Sequence, residues 1–219
     1  MFARGVAILG GTGQQGRGLA QRFAAAGVAV TIGSRDPGRG REAAAAWGLR
    51  QPIHVESNAT AAGQSDTVVL AIPFGTADAL LDDVRSSLRP GTVIVDVTVP
   101  VAFPGGKMTM IDVAEGSASE HIRARLPPEV GLAAAFKTIP ARLLGAGDAP
   151  LDCDEFVCGD TEESRARAVA LVGLLPGLRA VDVGTLARAR HIEHLTALAI
   201  AINRRHKIHD ARFRIVGLT

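Results

Sequence analysis

Three glycines near the N-terminus have the spacing of a phosphate-binding turn. Gly11, Gly13 and Gly16 follow an apolar run and open a segment of helical periodicity. In this pattern one glycine permits a tight turn, the next lets a pyrophosphate approach the backbone, and the third lets helix and strand pack closely. Phosphate then meets free N–H groups at the positive end of a helix. The turn therefore predicts a dinucleotide-binding site, with a generic glycine turn as the alternative.

The end of the predicted second strand carries Gly33-Ser34-Arg35 instead of the acidic residue that binds the ribose of NAD. A hydroxyl beside a guanidinium suits the 2′-phosphate of NADP, because arginine offers a planar, permanently charged fork. Arg39, one helical turn later, is placed to close the same pocket. The alternative is a pair of surface arginines, and Asp36 keeps some NAD use open. The pattern favours NADP over NAD.

Alternating strands and helices must position these residues. Apolar runs rich in Val, Ile and Thr predict strands at Val6–Gly10, Val28–Gly33, Ile53–Glu56, Thr67–Pro73, Thr92–Val97, Val130–Phe136, Glu155–Cys158 and Leu178–Val183. Helical spacing predicts helices at Gln14–Ala26, Gly40–Trp47, Thr76–Leu88, Thr161–Leu175 and Leu186–Arg205. The Pro- and Gly-rich stretch Val99–Met110 is predicted to be a loop.

Nearly continuous apolar strands that alternate with helices predict an α/β fold. We expect a Rossmann-type doubly wound, mostly parallel sheet with a long C-terminal helix. The length of 219 residues favours a single domain over 1–219. Within it, residues 1–100 form the predicted dinucleotide-binding core, and residues 101–219 complete the sheet.

Composition excludes several classes of protein. The chain has 47% hydrophobic and 21% charged residues, which excludes disorder as the main state. A net charge of +2 and 4% aromatic residues argue against nucleic acid as a partner. Without a signal-peptide pattern or an apolar run of about 18 residues, we expect a cytoplasmic protein with no membrane span. Cys153 and Cys158 are expected to be free, buried or half-buried thiols.

The last 29 residues concentrate four histidines, at positions 191, 194, 206 and 209. Each pair has i, i+3 spacing, but no further ligand is at hand, so we predict no metal site. A basic cluster follows the long helix: Arg204, Arg205, His206, Lys207 and His209. Two interpretations stay open, cations that complement a helix C-terminus and a dock for anionic groups of a cofactor.

Taken over nearly the whole chain, the sequence resembles the NADPH-dependent reductases of the deazaflavin coenzyme F420, also called F420:NADP oxidoreductases. The N-terminal part of the resemblance is shared with many Rossmann proteins, whereas the C-terminal part is more specific. It rests on Gly10-Gly11-Thr12-Gly13-x-x-Gly16-x-Gly18-Leu19-Ala20, Gly33-Ser34-Arg35, Ile72-Pro73, Thr138-Ile139-Pro140-Ala141, Val157-Cys158-Gly159-Asp160, Glu193-x-Leu195-Thr196 and Ile202-Asn203-Arg204-Arg205-x-Lys207-x-His209.

The resemblance implies hydride transfer between NADP(H) and coenzyme F420 in one cleft, and a homodimer. It assigns residues 101–219 the F420 pocket. By match, the pyrophosphate would be held by Thr12, Gly13, Gln14 and Gln15, and the 2′-phosphate by Ser34, Arg35 and Arg39. Ile72, with Pro73 beside it, Thr76, Val99 and Ala141 would lie along the nicotinamide half. The F420 side would comprise Thr138, Ile139, Pro140 and Thr196.

Two residues depart from the family pattern near the expected ring pocket. Lys137 stands where some members have His, and Phe74 where some have Trp. No Ser/His/Asp set or carboxylate pair emerges, since hydride transfer needs orientation more than side-chain chemistry. Reduction of a deazaflavin also requires a proton, and Lys137 is the candidate for electrostatic assistance there. The alternatives are that Lys137 contacts a phosphate or is a solvated surface lysine. Alternative functions are reduction of a flavin, quinone or imine-like metabolite by NADPH, and a non-catalytic NADP-binding redox sensor.

Overall fold

The structure is a computed structural model that describes residues 2–48, 53–147 and 149–218. The ends of the predicted domain, Met1 and Thr219, lie outside these ranges. The strands among the described residues are β1 (Val6–Leu9), β2 (Val30–Ser34), β3 (His54–Ser57), β4 (Thr67–Leu70), β5 (Val93–Asp96), β6 (Val101–Ala102), β7 (Thr109–Met110), β8 (Gly131–Ala134), β9 (Cys153–Gly159) and β10 (Leu178–Thr185).

The α-helices among the described residues vary from one turn to five. They are α1 (Gln14–Ala25), α2 (Pro37–Ala45), α3 (Asn58–Gln64), α4 (Ala77–Val84), α5 (Ala118–Arg123), α6 (Ala141–Leu144), α7 (Glu162–Val172) and α8 (Ala189–His206). Short 3₁₀ turns lie at Phe74–Thr76, Pro104–Gly106 and Leu186–Arg188.

Eight strands form one sheet in the order β10-β9-β8-β5-β4-β1-β2-β3. Every pairing in it is parallel except that of β8 with β9, which is antiparallel. The chain moves outward from β1 to β3 and then returns to β4 on the other side of β1. The strand order therefore reverses between β1 and β4, where ligands of doubly wound sheets bind at the carboxyl ends. The predicted Rossmann-type, mostly parallel sheet is confirmed.

Both faces of the sheet are covered, which explains the continuous apolar strands. In β1, Val6 and Ile8 join a core cluster with α1 and α7, whereas Ala7 and Leu9 join a second cluster with α3, α4, α5 and α8. All four residues of β1, β4 and β5 are buried. The carboxyl ends of these three strands are thereby held rigidly at one edge of the sheet.

The structure differs from the predicted elements where they are short or carry buried charge. The predicted loop Val99–Met110 contains the antiparallel ribbon β6–β7, so the loop prediction is wrong there. Helices α3, α5 and α6 were not predicted, because four to seven residues are too few to show a helical period. Strand β9 begins two residues before its predicted start, since Asp154 is buried in a pair with Arg179 of β10.

Candidate functional site

The glycine-rich turn joins β1 to α1 as predicted. The left-handed conformation falls on Gly10, with φ 82°, one residue before the motif begins. Gly13 directly precedes α1, and its N–H donates to the carbonyl of Gly10 at 3.0 Å. A Cβ on Gly16 would lie 2.5 Å from the carbonyl oxygen of Gly10. The turn therefore depends on glycine for its backbone conformation and for the close approach of the helix.

The first turn of α1 presents backbone N–H groups at the end of β1. By helix geometry the N–H groups of Gln14, Gln15 and Gly16 have no acceptor within the helix. Gln15 Nε2 donates to the carbonyl of Phe136 at 2.5 Å, which ties the turn to the segment after β8. An anion such as a phosphate is the natural acceptor for such N–H groups.

At the end of β2, the acidic residue is used as a helix cap. Asp36 Oδ1 accepts the N–H of Arg39 at 3.1 Å and so caps α2. Ser34 Oγ accepts the N–H of Asp36 at 3.2 Å and donates to its carbonyl at 2.9 Å. Arg35 and Arg39 are exposed at the strand end and in the first turn of α2. Two guanidinium groups are therefore available to an anion here, while the carboxylate is engaged.

A cleft of about 420 Å³ lies at the carboxyl ends of the strands. It brings together most of the residues predicted for the two ring halves and part of the glycine turn. These predicted residues line it: Gly13, Gln14, Gln15, Ile72, Pro73, Val99, Lys137, Thr138, Ile139, Pro140, Ala141 and Thr196. Further lining residues, which were not among the predicted site residues, are Ala71, Val97, Thr98, Val101, Ala199, Ile200, Asn203 and Ala211.

Other predicted residues lie outside the lining of the cleft. Gly11, Thr12, Gly16, Ser34, Arg35 and Arg39 belong to the turn and to the end of β2. Thr76 is exposed in the 3₁₀ turn after β4, where its hydroxyl donates to the carbonyl of Pro73 at 2.9 Å. Phe74 does not line the cleft either; its ring packs edge-on against His121, with centroids 5.2 Å apart. Phe74 therefore follows a cleft residue, Pro73, along the chain without itself lining the cleft.

Beneath the cleft, Lys137 is the centre of a buried charged cluster. Its Nζ donates to Asp96 Oδ2 at 2.7 Å, to Glu193 Oε1 at 3.3 Å and to the carbonyl of Thr98. The side chains of Lys137 and Asp96 are 0% exposed, and that of Glu193 is 2% exposed. A solvated lysine and a phosphate contact are therefore both wrong. Burial alone would lower the pKa of Lys137, but the two carboxylates raise it above its ordinary value.

The two carboxylates of this cluster have further partners. Asp96 Oδ2 accepts the hydroxyl of Ser119 at 2.6 Å, and Glu193 Oε2 accepts the N–H of Ala118 at 3.2 Å. Burial raises the pKa of Glu193, and the charge of Lys137 opposes that shift. Sequence reasoning missed this pair. The available signal was an acid at the end of an all-apolar strand, Val93–Asp96, and another on the apolar side of a long helix.

A second buried acid holds the segment that follows β8. Glu155 Oε1 accepts the N–H of Lys137 at 3.0 Å, and Oε2 accepts the hydroxyl of Thr138 at 2.8 Å. Burial raises the pKa of Glu155 to about 7, although these hydrogen bonds oppose the shift. Thr196 Oγ1 of α8 donates to the carbonyl of Lys137 at 2.9 Å. The backbone of this segment is thereby fixed from both sides of the sheet.

The remaining candidates lie away from the cleft. Helix α8 ends where Lys207 takes a left-handed conformation, so the basic cluster does sit at a helix C-terminus. Cys153 and Cys158 are free and buried, as predicted, and burial raises their pKa values to about 11 and about 12. In the described ranges no three metal-ligating side chains come together. No helix in these ranges has the length and apolarity to span a membrane.

The chain is similar to known proteins over nearly its whole length. A family model described as NADP oxidoreductase, coenzyme F420-dependent, matches residues 5–100. The F420-dependent NADP reductase of Methanothermobacter thermautotrophicus is 40% identical over 97% of this chain and 95% of its own. The chain belongs to the F420-dependent NADP reductase family. The F420-dependent NADP reductase of Methanocaldococcus jannaschii is 34% identical over 97% of this chain and 98% of its own.

A solved structure extends the similarity to the fold of this F420-dependent NADP reductase family member. A crystal structure from Arthrobacter sp. FB24, provisionally named an F420-dependent NADP reductase, superposes with a TM-score of 0.80. It is 26% identical and covers 96% of this chain and 98% of its own. The family resemblance inferred from the motifs is confirmed. The full-length matches to reductases include the segment around Lys137 and α8, beyond the shared dinucleotide-binding half.

Proposed function

We propose that this family member transfers hydride between NADPH and coenzyme F420. The observation that carries the proposal is the single cleft that runs from the glycine turn, along the ends of β4 and β5, to the segment 137–141 and α8. In this proposal the two rings stack in the cleft, so that the donor and acceptor carbons face each other. The cofactors supply hydride donor and acceptor: NADPH, F420 and one proton give NADP⁺ and reduced F420.

The chain's part in this proposal is to bind, orient and exclude water. The N–H groups at the start of α1 suit the pyrophosphate, and a Cβ at Gly16 would disrupt the turn that presents them. Arg35 and Arg39, with Ser34, suit the 2′-phosphate because both arginines are exposed, one directly after β2 and the other in the first turn of α2. Ile72 and the other apolar residues that line the cleft keep water away from the reacting carbons. These two carbons must approach each other to about 3–3.5 Å.

The second ring is assigned to the far wall of the cleft. Thr138, Ile139 and Pro140 form this wall after β8, and Thr196 of α8 closes it. Ala141 begins α6 beside them and belongs to the nicotinamide half in this proposal. The ammonium of Lys137 is paired with the buried carboxylates of Asp96 and Glu193. In this proposal Lys137 therefore assists the reaction by holding the cleft wall in place or by its electrostatic field, and it does not donate the proton.

Assembly and location follow from the same proposal. We place one domain over 1–219 in the cytoplasm, with small-molecule cofactors and no nucleic acid as partners. A homodimer is supported by large apolar side chains in solvent, such as Phe103, 56% exposed, and Leu198, 50% exposed. Arg204 of α8 donates to the carbonyl of Gly106 at 3.1 Å, which joins the ribbon to α8 on this side. Light scattering of the purified protein measures the mass directly.

The deciding experiment mixes the purified protein with NADPH and oxidised F420 and follows the deazaflavin absorbance. We expect bleaching of F420 that requires NADPH and is much slower with NADH. Turnover with a flavin, a quinone or an imine but none with F420 would replace the proposed acceptor. Tight NADPH binding without oxidation by any acceptor would instead indicate a redox sensor.

A further inference from the structure

The side chain of Gln15 joins the glycine turn to the opposite wall of the cleft. Gln15 lies in the first turn of α1, and both Gln15 and the segment that begins at Lys137 line the cleft. Gln15 Nε2 donates to the carbonyl of Phe136, which directly precedes that segment, at 2.5 Å. The two residues are 121 positions apart in the sequence. The bond therefore links the turn suited to the pyrophosphate with the wall assigned to the second ring.

Phe136 has a backbone conformation that requires support from its surroundings. Its φ of 58° lies in the left-handed region, which residues with a Cβ rarely adopt and which persists only where nearby contacts fix it. The residue is fully buried, and its ring packs edge-on against Phe23 of α1, with centroids 5.8 Å apart. Helix α1 thus holds Phe136 twice, at the ring through Phe23 and at the carbonyl through Gln15.

The peptide group between Phe136 and Lys137 is fixed at both of its polar ends. The C=O of Phe136 accepts from Gln15, and the N–H of Lys137 donates to Glu155 Oε1 of β9 at 3.0 Å. Because a peptide group is planar, these two bonds together determine its orientation, and a rotation that breaks one of them weakens the other. The orientation of this peptide sets the direction in which the chain continues into residues 138–140 of the cleft wall.

The backbone and the side chain of Gln15 have separate tasks. The backbone N–H has no acceptor within α1, so it can meet a phosphate at the start of the helix. The side-chain amide is bonded to Phe136 on the other side of the cleft. The family resemblance assigns the whole residue to the pyrophosphate, whereas the geometry divides it between the two halves of the cleft.

We propose that the Gln15 side chain is a positioning residue for the second ring. It holds the carbonyl of Phe136, and through the peptide between Phe136 and Lys137 it keeps residues 138–140 in the conformation that receives the ring. The inference rests on the proposed function for the identity of this ring as the deazaflavin of F420. Removal of the side-chain donor should therefore weaken binding of F420 and leave binding of NADPH nearly unchanged.

The test replaces Gln15 by methionine, which has a similar length but no hydrogen-bond donor. The Kd for oxidised F420, measured by its fluorescence without nucleotide, should rise about tenfold, because the carbonyl of Phe136 loses its partner. The Kd for NADPH, measured by calorimetry, should stay within about threefold of wild type. In turnover the KM for F420 should rise and kcat should fall, while the KM for NADPH stays. Gln21→Met, in the same helix but outside the cleft lining, should change none of these values.

Hydrogen exchange in the ligand-free protein gives a readout that needs neither cofactor. The backbone amide of Lys137 should exchange several-fold faster in Gln15→Met than in wild type or in Gln21→Met, because its peptide is then held at one end only. Gln15→Ala removes the same bond and should give the same results if Gln15→Met does not fold.

Three results would overturn the proposal. A higher Kd for NADPH with an unchanged Kd for F420 would make the Gln15 side chain a phosphate contact. Equal increases in both Kd values together with a lower Tm would make its role structural only. Unchanged exchange of the Lys137 amide would show that the wall does not depend on Gln15. Failure of the proposed function shows separately, as wild-type protein that binds NADPH but does not reduce F420, and the exchange of Lys137 then still decides whether Gln15 holds the wall.

Discussion

Replacing Lys137 by methionine should remove a large part of the free energy of unfolding of this protein. Methionine fills a similar volume but removes the cation that two buried carboxylates share. The Asp96 and Glu193 side chains are 0% and 2% exposed, and their distances to Nζ are 2.7 Å and 3.3 Å. Leaving a buried charge without its partner costs about 3–5 kcal/mol. The free energy of unfolding of a typical domain is only about 5–15 kcal/mol in total.

The free energy of unfolding is best measured by urea denaturation followed by circular dichroism at pH 7. We expect Lys137→Met to lose about 3–5 kcal/mol, which lowers the Tm by about 10 °C in a domain of this size. Lys107→Met removes an exposed lysine and should stay within about 0.5 kcal/mol of wild type. Adding Glu193→Gln to Lys137→Met should recover part of the loss, because one uncompensated charge disappears.

The pH dependence gives a second, independent readout of the same variant. Burial raises the pKa of Glu193 in the folded protein, and Lys137→Met removes the cation that opposes this shift, so the loss is smallest below about pH 4 and grows as the pH rises. The loss should therefore be smaller at pH 5 than at pH 7. A loss at pH 7 no larger than that of Lys107→Met, or one independent of pH, would refute the reasoning.

Three further changes test the turn, the arginines and the second buried acid. Arg35→Asp should raise the Kd for NADPH about 10- to 150-fold and that for NADH only a few fold, and exposed Arg89→Asp should change neither; equal effects on both nucleotides would exclude a 2′-phosphate contact. Gly16→Ala should cost about 1–3 kcal/mol in urea, because its Cβ meets a carbonyl oxygen at 2.5 Å. Gly173→Ala, with no atom nearer than 3.5 Å, should be tolerated, and equal losses would contradict the packing argument. Glu155 binds its proton up to about pH 7 when folded but only to about 4.5 when unfolded, so stability should fall by up to about 3 kcal/mol as the pH rises from 4.5 to 7. Glu155→Gln should flatten that fall, and an unchanged slope would show that another group titrates.

Much of the fold was readable from local pattern. Strands β1, β4 and β5 are short, wholly apolar runs between turn residues, and a run of this kind is stable only when both faces of a parallel sheet are covered. The glycine spacing likewise indicated the turn and the helix start at Gln14. Strand ends were less certain: the predicted strand Thr67–Pro73 stops at Leu70, and its last residues turn into the cleft wall.

Charged residues in the interior could not be placed from pattern. Asp154 and Glu155 interrupt an apolar run, and a local window treats such acids as solvent-exposed. In the structure Arg179 forms an ion pair with Asp154. Glu155 accepts hydrogen bonds from the hydroxyl of Thr138 and from the backbone N–H of Lys137. Arg179 lies on β10, and Lys137 and Thr138 lie on the segment after β8. These contacts to β9 therefore depend on the order of the strands in the sheet.

The sequence by itself determined the glycine-rich turn before α1, the exposed arginines after β2, the parallel sheet and the family. All of these are properties of neighbouring residues, whose spacing is translated directly into backbone conformation and burial. Only the tertiary structure decided that Lys137 faces Asp96 and Glu193. These contacts join β5, the segment after β8 and α8, and such distant parts of a chain meet only once the sheet and its helices have packed.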